Sequence, residues 1–336
     1  MDDRYTLLLN WLGDVLPHDR MRLAPASEDA SFRRYFRVSL DETTFIAMDS
    51  PPAQEDNRMF VVLAKALREL NVQTPQVFAH DFDQGFLLLS DFGPQQYLLA
   101  LDDTNVDTLY ADALAALMRL QLGADPASGL IPVYDKALLQ QELGLFREWF
   151  LNRHLAMSLD DDEQRLLDEV FTLLCTSALE QPQVWVHRDY HSRNLMVITE
   201  RNPGVLDFQG AVIGPVTYDL VSLLRDCYIA WPDERVKQWA LDYRERMQAQ
   251  GFQGLSDEKT FLRWFDWMGL QRHLKALGIF ARLNCRDGKP GYLQDIPRTL
   301  NYVLEIAGAY PELSAFGDWL VRRELTPTAL AREHGQ

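Results

Sequence analysis

Apolar positions along the chain recur with two periods, and the change between them divides it. From Asp2 to Leu16, Tyr5, Leu8, Leu9 and Leu12 fall at helical spacing, and Pro17 marks the stop. Between Arg22 and Asp49 the pattern becomes strand–turn–strand, with β-favouring runs at Tyr35-Phe36-Arg37-Val38 and Phe45-Ile46-Ala47-Met48. Pro51-Pro52 closes that stretch. A helix is predicted over 56–70, then strands at Val77–His80 and Phe86–Leu89. Helical spacing dominates from there. Thr104 stands as an N-cap ahead of Val106, Tyr110, Leu114, Leu117 and Gln121 on one face, and further helices are predicted over 135–157 and 160–180. A short β insertion interrupts them at Val184–Val186, Leu195–Ile198 and Val205–Asp207, with a turn at Arg201-Asn202-Pro203-Gly204. Helical patterns resume at Thr217. The predicted class is α+β, with a small β-rich lobe over 1–93 and a larger α-helical lobe over 94–336.

Composition narrows this picture. A chain of 336 residues, 47% hydrophobic with 8 Trp and 17 Phe, can fill two sizeable interiors. No apolar run approaches the roughly 18–20 residues that cross a bilayer. The opening Met1-Asp2-Asp3 is acidic where a secretory signal is basic, which predicts a cytoplasmic protein away from membranes. Cys175, Cys227 and Cys285 lie far apart without CxxC spacing, so neither a disulfide framework nor a zinc cage is expected. The formal charge of −16 argues against nucleic acid as a partner, because phosphate binding draws on surplus Lys and Arg.

The chemistry concentrates in Val184–Ile198 and Gly204–Gly210. His187, Asp189 and Asn194 form H-x-D-x-x-x-x-N, and Asp207 follows Asn194 in Leu206-Asp207-Phe208-Gln209-Gly210. A loop between two strands presents Asp189 and Asn194 together, and the next hairpin returns Asp207 to the same edge. Phosphoryl transfer needs a carboxylate to orient a hydroxyl and take its proton, and oxygen ligands that hold Mg2+. In order and spacing these residues resemble the aminoglycoside phosphotransferase-like kinases and, more distantly, protein kinases. The resemblance spans the chain in lobe order and is sharp between 184 and 220. It implies a bilobal protein-kinase-like fold, ATP and Mg2+ as cofactors, Asp189 as catalytic base, His187 as a brace of the loop, and Asn194 and Asp207 as metal ligands. Asp219 opens a helix, where a carboxylate suits the helix dipole; in the related kinases the matching Asp ties down the catalytic loop. Plainer alternatives stand beside these. Asp189 and Asn194 can cap a turn and Asp207 can end a strand. His187, Asp189 and His191, at i, i+2 and i+4, can grip a transition metal from one strand face.

The nucleotide side departs from the pattern, because G-x-G-x-x-G is missing. In its place stands Ala26–Val38, where Ala26, Ser27, Ala30 and Ser31 let backbone amides approach phosphate and Arg33 or Arg34 supplies charge. An ordinary polar hairpin is the alternative. The strand Phe45-Ile46-Ala47-Met48 sits where related kinases carry Val-Ala-Ile-Lys, which leaves Met48 in the place of the phosphate-binding lysine. Either a loop arginine replaces it or the chain is a catalytically silent pseudokinase, and the intact Asp189, Asn194 and Asp207 favour the first. Ser90-Asp91-Phe92-Gly93 spells DFG but precedes the catalytic loop. It matches the inter-lobe hinge of these kinases, where the backbone of Leu89, Asp91 and Phe92 would hold adenine, so Asp91 is not assigned to metal.

Within that family the chain resembles the bacterial N-acetylmuramate/N-acetylglucosamine anomeric kinases of cell-wall recycling. The likeness rests on Ser27–Phe36, Ala47–Pro52, His187–Met196 and Arg282–Arg298. That group also lacks the usual lysine. The resemblance implies a small-molecule amino-sugar substrate, phosphorylated on its C1 hydroxyl; a monomer is expected. An anomeric hydroxyl is more acidic than an ordinary alcohol, which lightens the task of Asp189. Candidates to line the pocket are His191, Arg193, Arg225, Asp226, Tyr228, Trp231, Arg272, His273 and Arg282, although arginines mostly cover surfaces and aromatic residues mostly fill cores. The rival substrate is an aminoglycoside, choline or a similar metabolite.

Overall fold

The structure, a computed structural model, describes residues 3–16, 21–27, 33–54 and 57–329. By internal contacts it forms two compact units, Met1–Ala116 with Asn194–Gln209, and Leu117–Arg193 with Gly210–Gln336.

The first unit opens with α1 (Asp3–Val15), followed by β1 (Arg22–Ser27), β2 (Arg34–Leu40) and β3 (Thr43–Asp49). After α2 (Asn57–Glu69) come β4 (Val77–Asp81) and β5 (Phe86–Ser90). The five strands make one antiparallel sheet in the order β1-β2-β3-β5-β4. Alternation turns Val38, Ala47, Phe86 and Leu88 onto one face, where they pack with Leu8, Trp11 and Leu12 of α1. Strand β5 reads as an unbroken apolar run because Phe86–Leu89 are buried on both faces, between β3 and β4.

The chain continues through α3 (Tyr97–Ala100) and α4 (Val106–Gly123). Thr104 does not cap α4. Asp102 takes the N–H groups of Thr104 and Asn105 at 2.8 and 3.0 Å, and Asn105 precedes the first helical residue. In the second unit, Asp135 caps α5 (Lys136–Leu145) by accepting from Leu138 N–H, and the helix runs on as a π-helical stretch, Phe146–His154. Asp160 and Glu163 make a reciprocal capping box at the start of α6 (Asp161–Leu179). Strand β6 (Gln183–Val186) follows.

Residues 194–209 return to the first unit as a hairpin of β7 (Leu195–Met196) and β8 (Gly204–Val205). Both strands are shorter than the apolar pattern predicts, because neighbouring groups take their backbone bonds. Val197 N–H goes to Gln95 O, Ile198 N–H to the Asn202 side chain, and Leu206 N–H to Asn194 O, while Val205 within β8 donates to Gln73 O. These bonds, with Asn202 held by Tyr97 and Asp112, carry the hairpin and the segment after residue 93 into the first unit. Gly204 permits the approach: a Cβ there would lie 2.6 Å from the Phe92 ring.

The second unit resumes with β9 (Val212–Pro215), which pairs with β6 and which the sequence pattern does not reveal. Then come α7 (Tyr218–Leu224), α8 (Asp233–Ala249), the 28-residue α9 (Glu258–Cys285), α10 (Ile296–Ala309) and α11 (Ser314–Arg322). Helix α9 is the unit's spine, packed against α5, α6, α7, α8 and α10. Its buried residues are too many for a one-faced helix. Gly278 lets it cross α5 closely, since a Cβ there would meet the Leu145 backbone at 2.4 Å. Among the described residues no helix is long and apolar enough to cross a membrane.

Candidate active site

The loop after β6 is held from below by two buried aspartates. Asp219, in the first turn of α7, accepts the His187 N–H at 2.6 Å on one oxygen and the Arg188 N–H at 3.0 Å on the other. Asp226 accepts the Ser192 N–H and hydroxyl at 2.9 and 2.5 Å, and the Tyr228 N–H at 2.9 Å. The loop needs this grip because Arg188 sits at φ 77, a region that L side chains occupy at a cost of about 1–2 kcal/mol. The Arg188 guanidinium pairs with Glu142 and donates to Gly210 O at 3.3 Å. Its carbonyl accepts from Arg272 Nη1 at 2.8 Å, while Arg272 Nη2 donates to the Ser222 hydroxyl at 2.6 Å. His187 is buried, and its Nδ1 accepts from the Asp189 N–H at 3.3 Å.

Asp189 follows that turn, half-buried at the loop tip. Burial opposes its ionisation, but Lys275, His191, Arg272 and His187 outweigh it and hold the carboxyl below its usual range. Asp189 is therefore a carboxylate at neutral pH. Burial pushes Asp219 the other way, up to about 7, against the two backbone N–H groups it accepts. Beneath the loop, Glu142 gathers Arg188, Lys275 (3.0 Å) and Tyr134, and Lys275 also donates to Tyr218 at 3.0 Å. Sequence reasoning missed Glu142 and Lys275, which carry no local signal on their helices.

In the first unit, Asn194 and Asp207 meet at the end of the β7–β8 hairpin. Leu206 N–H donates to Asn194 O at 2.9 Å, and the Asn194 amide lies 3.5 Å from Asp207 Oδ2. Asp207 sits at φ 62, where Asp is tolerated better than most residues, and its other oxygen takes the Gln209 amide. The amide nitrogen is the atom that faces the carboxylate here; turned over, Asn194 would set its oxygen beside Asp207, a pair that suits a hard divalent cation taking further oxygen ligands from phosphate and water. Among the described residues no three His, Cys, Asp or Glu side chains group as a metal cage, His187, Asp189 and His191 included.

Apart from Ser31, the expected nucleotide residues all fall in the first unit, and Met48 and Leu89 share one sheet face on neighbouring strands. Ser31 lies outside the described residues. Arg33 is buried. Arg34 is bound to Asp49, which also takes Arg4 at 2.9 Å, so its charge is already committed to protein. Met48 is fully buried on the sheet face opposite Ala47. Leu89 lies mid-sheet, opposite Ile46 and Val77. Asp91 pairs with Arg37 at 2.6 Å and accepts the Gly93 N–H at 2.8 Å. Burial works against that carboxylate, but Arg37 and the Gly93 amide hold it below its usual range. Phe92 packs over Gly204.

Of the pocket candidates, several are spent on protein. Arg225 is buried between Asp266 (2.7 Å) and Asp233 (3.3 Å). His273 stacks on Tyr302 and faces the Arg225 carbonyl at 2.9 Å; burial pushes it down to about 3, so it is neutral. Asp226 and Arg272 hold the loop backbone. Trp231 stacks edge-on with Trp239, and Arg282 lies in the last turn of α9, where burial and then Arg286 disfavour its charge. His191, Arg193 and Tyr228 are brought together: Tyr228 meets the His191 ring edge at 5.3 Å and the Arg193 guanidinium at 3.7 Å.

Residues 22–256 match the model of a phosphotransferase enzyme family, the aminoglycoside phosphotransferase type. The chain belongs to that family and is a small-molecule kinase. Its fold is protein-kinase-like. Choline kinase LicA from Streptococcus pneumoniae superposes with a TM-score of 0.63 over 93% of this chain and 99% of that one, at 11% identity. The GDP complex of aminoglycoside 2'-phosphotransferase-IIIa gives 0.62 over 92% and 100%, at 16% identity. At the sequence level the chain is 47% identical to the N-acetylmuramate/N-acetylglucosamine kinase of Pseudomonas putida, over 88% of this chain and 86% of that one. It is 44% identical to the enzyme of the same name from Pseudomonas aeruginosa, over 95% and 96%.

Proposed function

We propose that the protein is a cytoplasmic, monomeric kinase that transfers the γ-phosphoryl group of ATP to the C1 hydroxyl of N-acetylmuramate or N-acetylglucosamine, producing the sugar 1-phosphate for peptidoglycan recycling. The observation that carries the reaction is Asp189, an ionised carboxylate on a loop whose backbone Asp219, Asp226 and Arg272 hold in place. The names of the relatives support the substrate. Asp189 accepts the C1 proton as the hydroxyl oxygen bonds to phosphorus and ADP leaves. His187 fixes the Asp189 backbone, and Lys275 and Arg272 keep the carboxylate ionised until the proton arrives. Asn194 and Asp207 are the residues that would hold Mg2+, which neutralises charge on the transferring phosphate.

The test is ADP release with ATP and Mg2+ across N-acetylmuramate, N-acetylglucosamine, glucose, choline and kanamycin, with reducing-end reactivity followed in the product. Turnover on the N-acetyl sugars with loss of the reducing end is expected. Asp189→Asn should lower kcat by at least about a hundredfold, within the usual contribution of a general base. Turnover on choline or kanamycin alone would overturn the substrate and leave Asp189 in its role.

A further inference from the structure

In the second unit the partners of the partly exposed Arg193 leave it short of hydrogen bonds. Arg193 lies flat on Tyr228, 3.7 Å from the ring centre, with Tyr292 at 5.5 Å. A guanidinium stacked this way keeps its N–H edges free to point at a planar anion. Its charge partner among the described residues is Asp295, at 3.9 Å, beyond hydrogen-bond length. The nearer Asp295 oxygen, Oδ2, is buried without a hydrogen-bond donor among the described residues, while Oδ1 takes Arg298 at 3.0 Å. A donor edge and an acceptor oxygen thus face each other across a gap that neither closes. A ligand with a carboxylate for Arg193 and a hydroxyl or N–H for Asp295 would satisfy both.

The position suits recognition of the same substrate that Asp189 would act on. His191 stands between Asp189 and Arg193 in the loop, with its ring against the same Tyr228 that carries Arg193. The other cations around the loop are committed: Arg272 to Arg188 O and Ser222, Lys275 to Glu142 and Tyr218. A chain of net charge −16 repels a carboxylate at long range, so choosing one requires a local cation. Resting on the proposed sugar-kinase activity, we propose that Arg193, clamped by Tyr228 and Tyr292, is the residue that makes the enzyme favour a carboxylate-bearing amino sugar over a neutral one.

The experiment measures kcat/KM of the wild type, Arg193→Gln and Arg193→Lys on three acceptors: N-acetylmuramate, its isosteric neutral lactamide, and N-acetylglucosamine. The wild type should favour the acid over the amide. Arg193→Gln should shrink that ratio by about 30-fold, the size of one charge-assisted hydrogen bond, and Arg193→Lys should restore it in part. An unchanged ratio in Arg193→Gln, or a wild type that treats acid and amide alike, would overturn the assignment while leaving the sugar-kinase reading intact. If Arg193→Gln fails to fold, Arg193→Lys decides: an acid-to-amide ratio below the wild-type value supports the assignment, and an unchanged one overturns it. A wild type silent on all three acceptors would overturn the activity itself, and this inference with it.

Discussion

Arg272 tests whether the loop's shape is held from outside. Arg272→Met keeps the aliphatic stem and removes two hydrogen bonds, to Arg188 O at 2.8 Å and to Ser222 at 2.6 Å, together with a contact over Tyr218 at 4.5 Å. Charged hydrogen bonds contribute about 1.5–3 kcal/mol each. Sparing the desolvation of a part-buried guanidinium offsets part of that. The expected net loss of stability is about 2–4 kcal/mol, of the size seen when a buried polar network is broken. The effect on rate follows from Arg188. Its left-handed backbone costs about 1–2 kcal/mol, and without Arg272 that strain competes directly with the working loop. At about 1.4 kcal/mol per tenfold, kcat should fall roughly 5- to 30-fold, while KM for ATP stays within about twofold. Removing the positive charge also raises the pKa of Asp189, so the acid limb of the pH–rate profile should move to higher pH. The assay is ADP release from pH 5 to 9, with a thermal melt on the same protein. A folded Arg272→Met variant with kcat within threefold of wild type and an unmoved acid limb would refute the reasoning.

Two further changes probe other parts of the scaffold. Asp219 is raised from 3.8 to about 7, so between those values the folded chain holds a proton that the unfolded chain has lost; its contribution to stability is present below about 4 and disappears as pH rises through 7. Asp219→Asn should remove that downward slope from Tm measured against pH, at the cost of one loop N–H left facing an amide NH2; the same slope in both proteins would show that Asp219 does not titrate there. Gly204→Ala should lower the melting temperature of the protein, because its Cβ would lie 2.6 Å from the Phe92 ring and overpacking costs about 1–3 kcal/mol. An unshifted melt would mean that Phe92 moves aside freely.

Much of the architecture was legible because it is written in short-range pattern. The alternation in Tyr35–Val38 and Phe45–Met48 foretold β2 and β3, the apolar run Phe86–Leu89 foretold β5, and the helical spacing over 160–180 foretold α6. Strand β9 escaped notice because Val212–Pro215 is four residues long and contains Gly and Pro, so only its pairing with β6 makes it a strand. Thr104 failed as a cap because Asp102 accepts the free N–H groups first, a choice between neighbours that composition does not decide.

The division at the site has the same cause. The order and spacing of His187, Asp189, Asn194 and Asp207 are local, and a single chain sufficed to read the reaction class from them. Whether an arginine serves a ligand or the fold depends on what lies opposite, which only tertiary structure supplies. Arg34, Arg193, Arg225 and Arg272 look alike in sequence, yet Arg34 belongs to Asp49, Arg225 to Asp266, and Arg272 to the carbonyl of Arg188, 84 residues earlier in the chain. Arg193 is left with two tyrosine faces and a carboxylate just out of reach. A charge's function is set by its unspent hydrogen bonds, and those are counted only after the chain has folded.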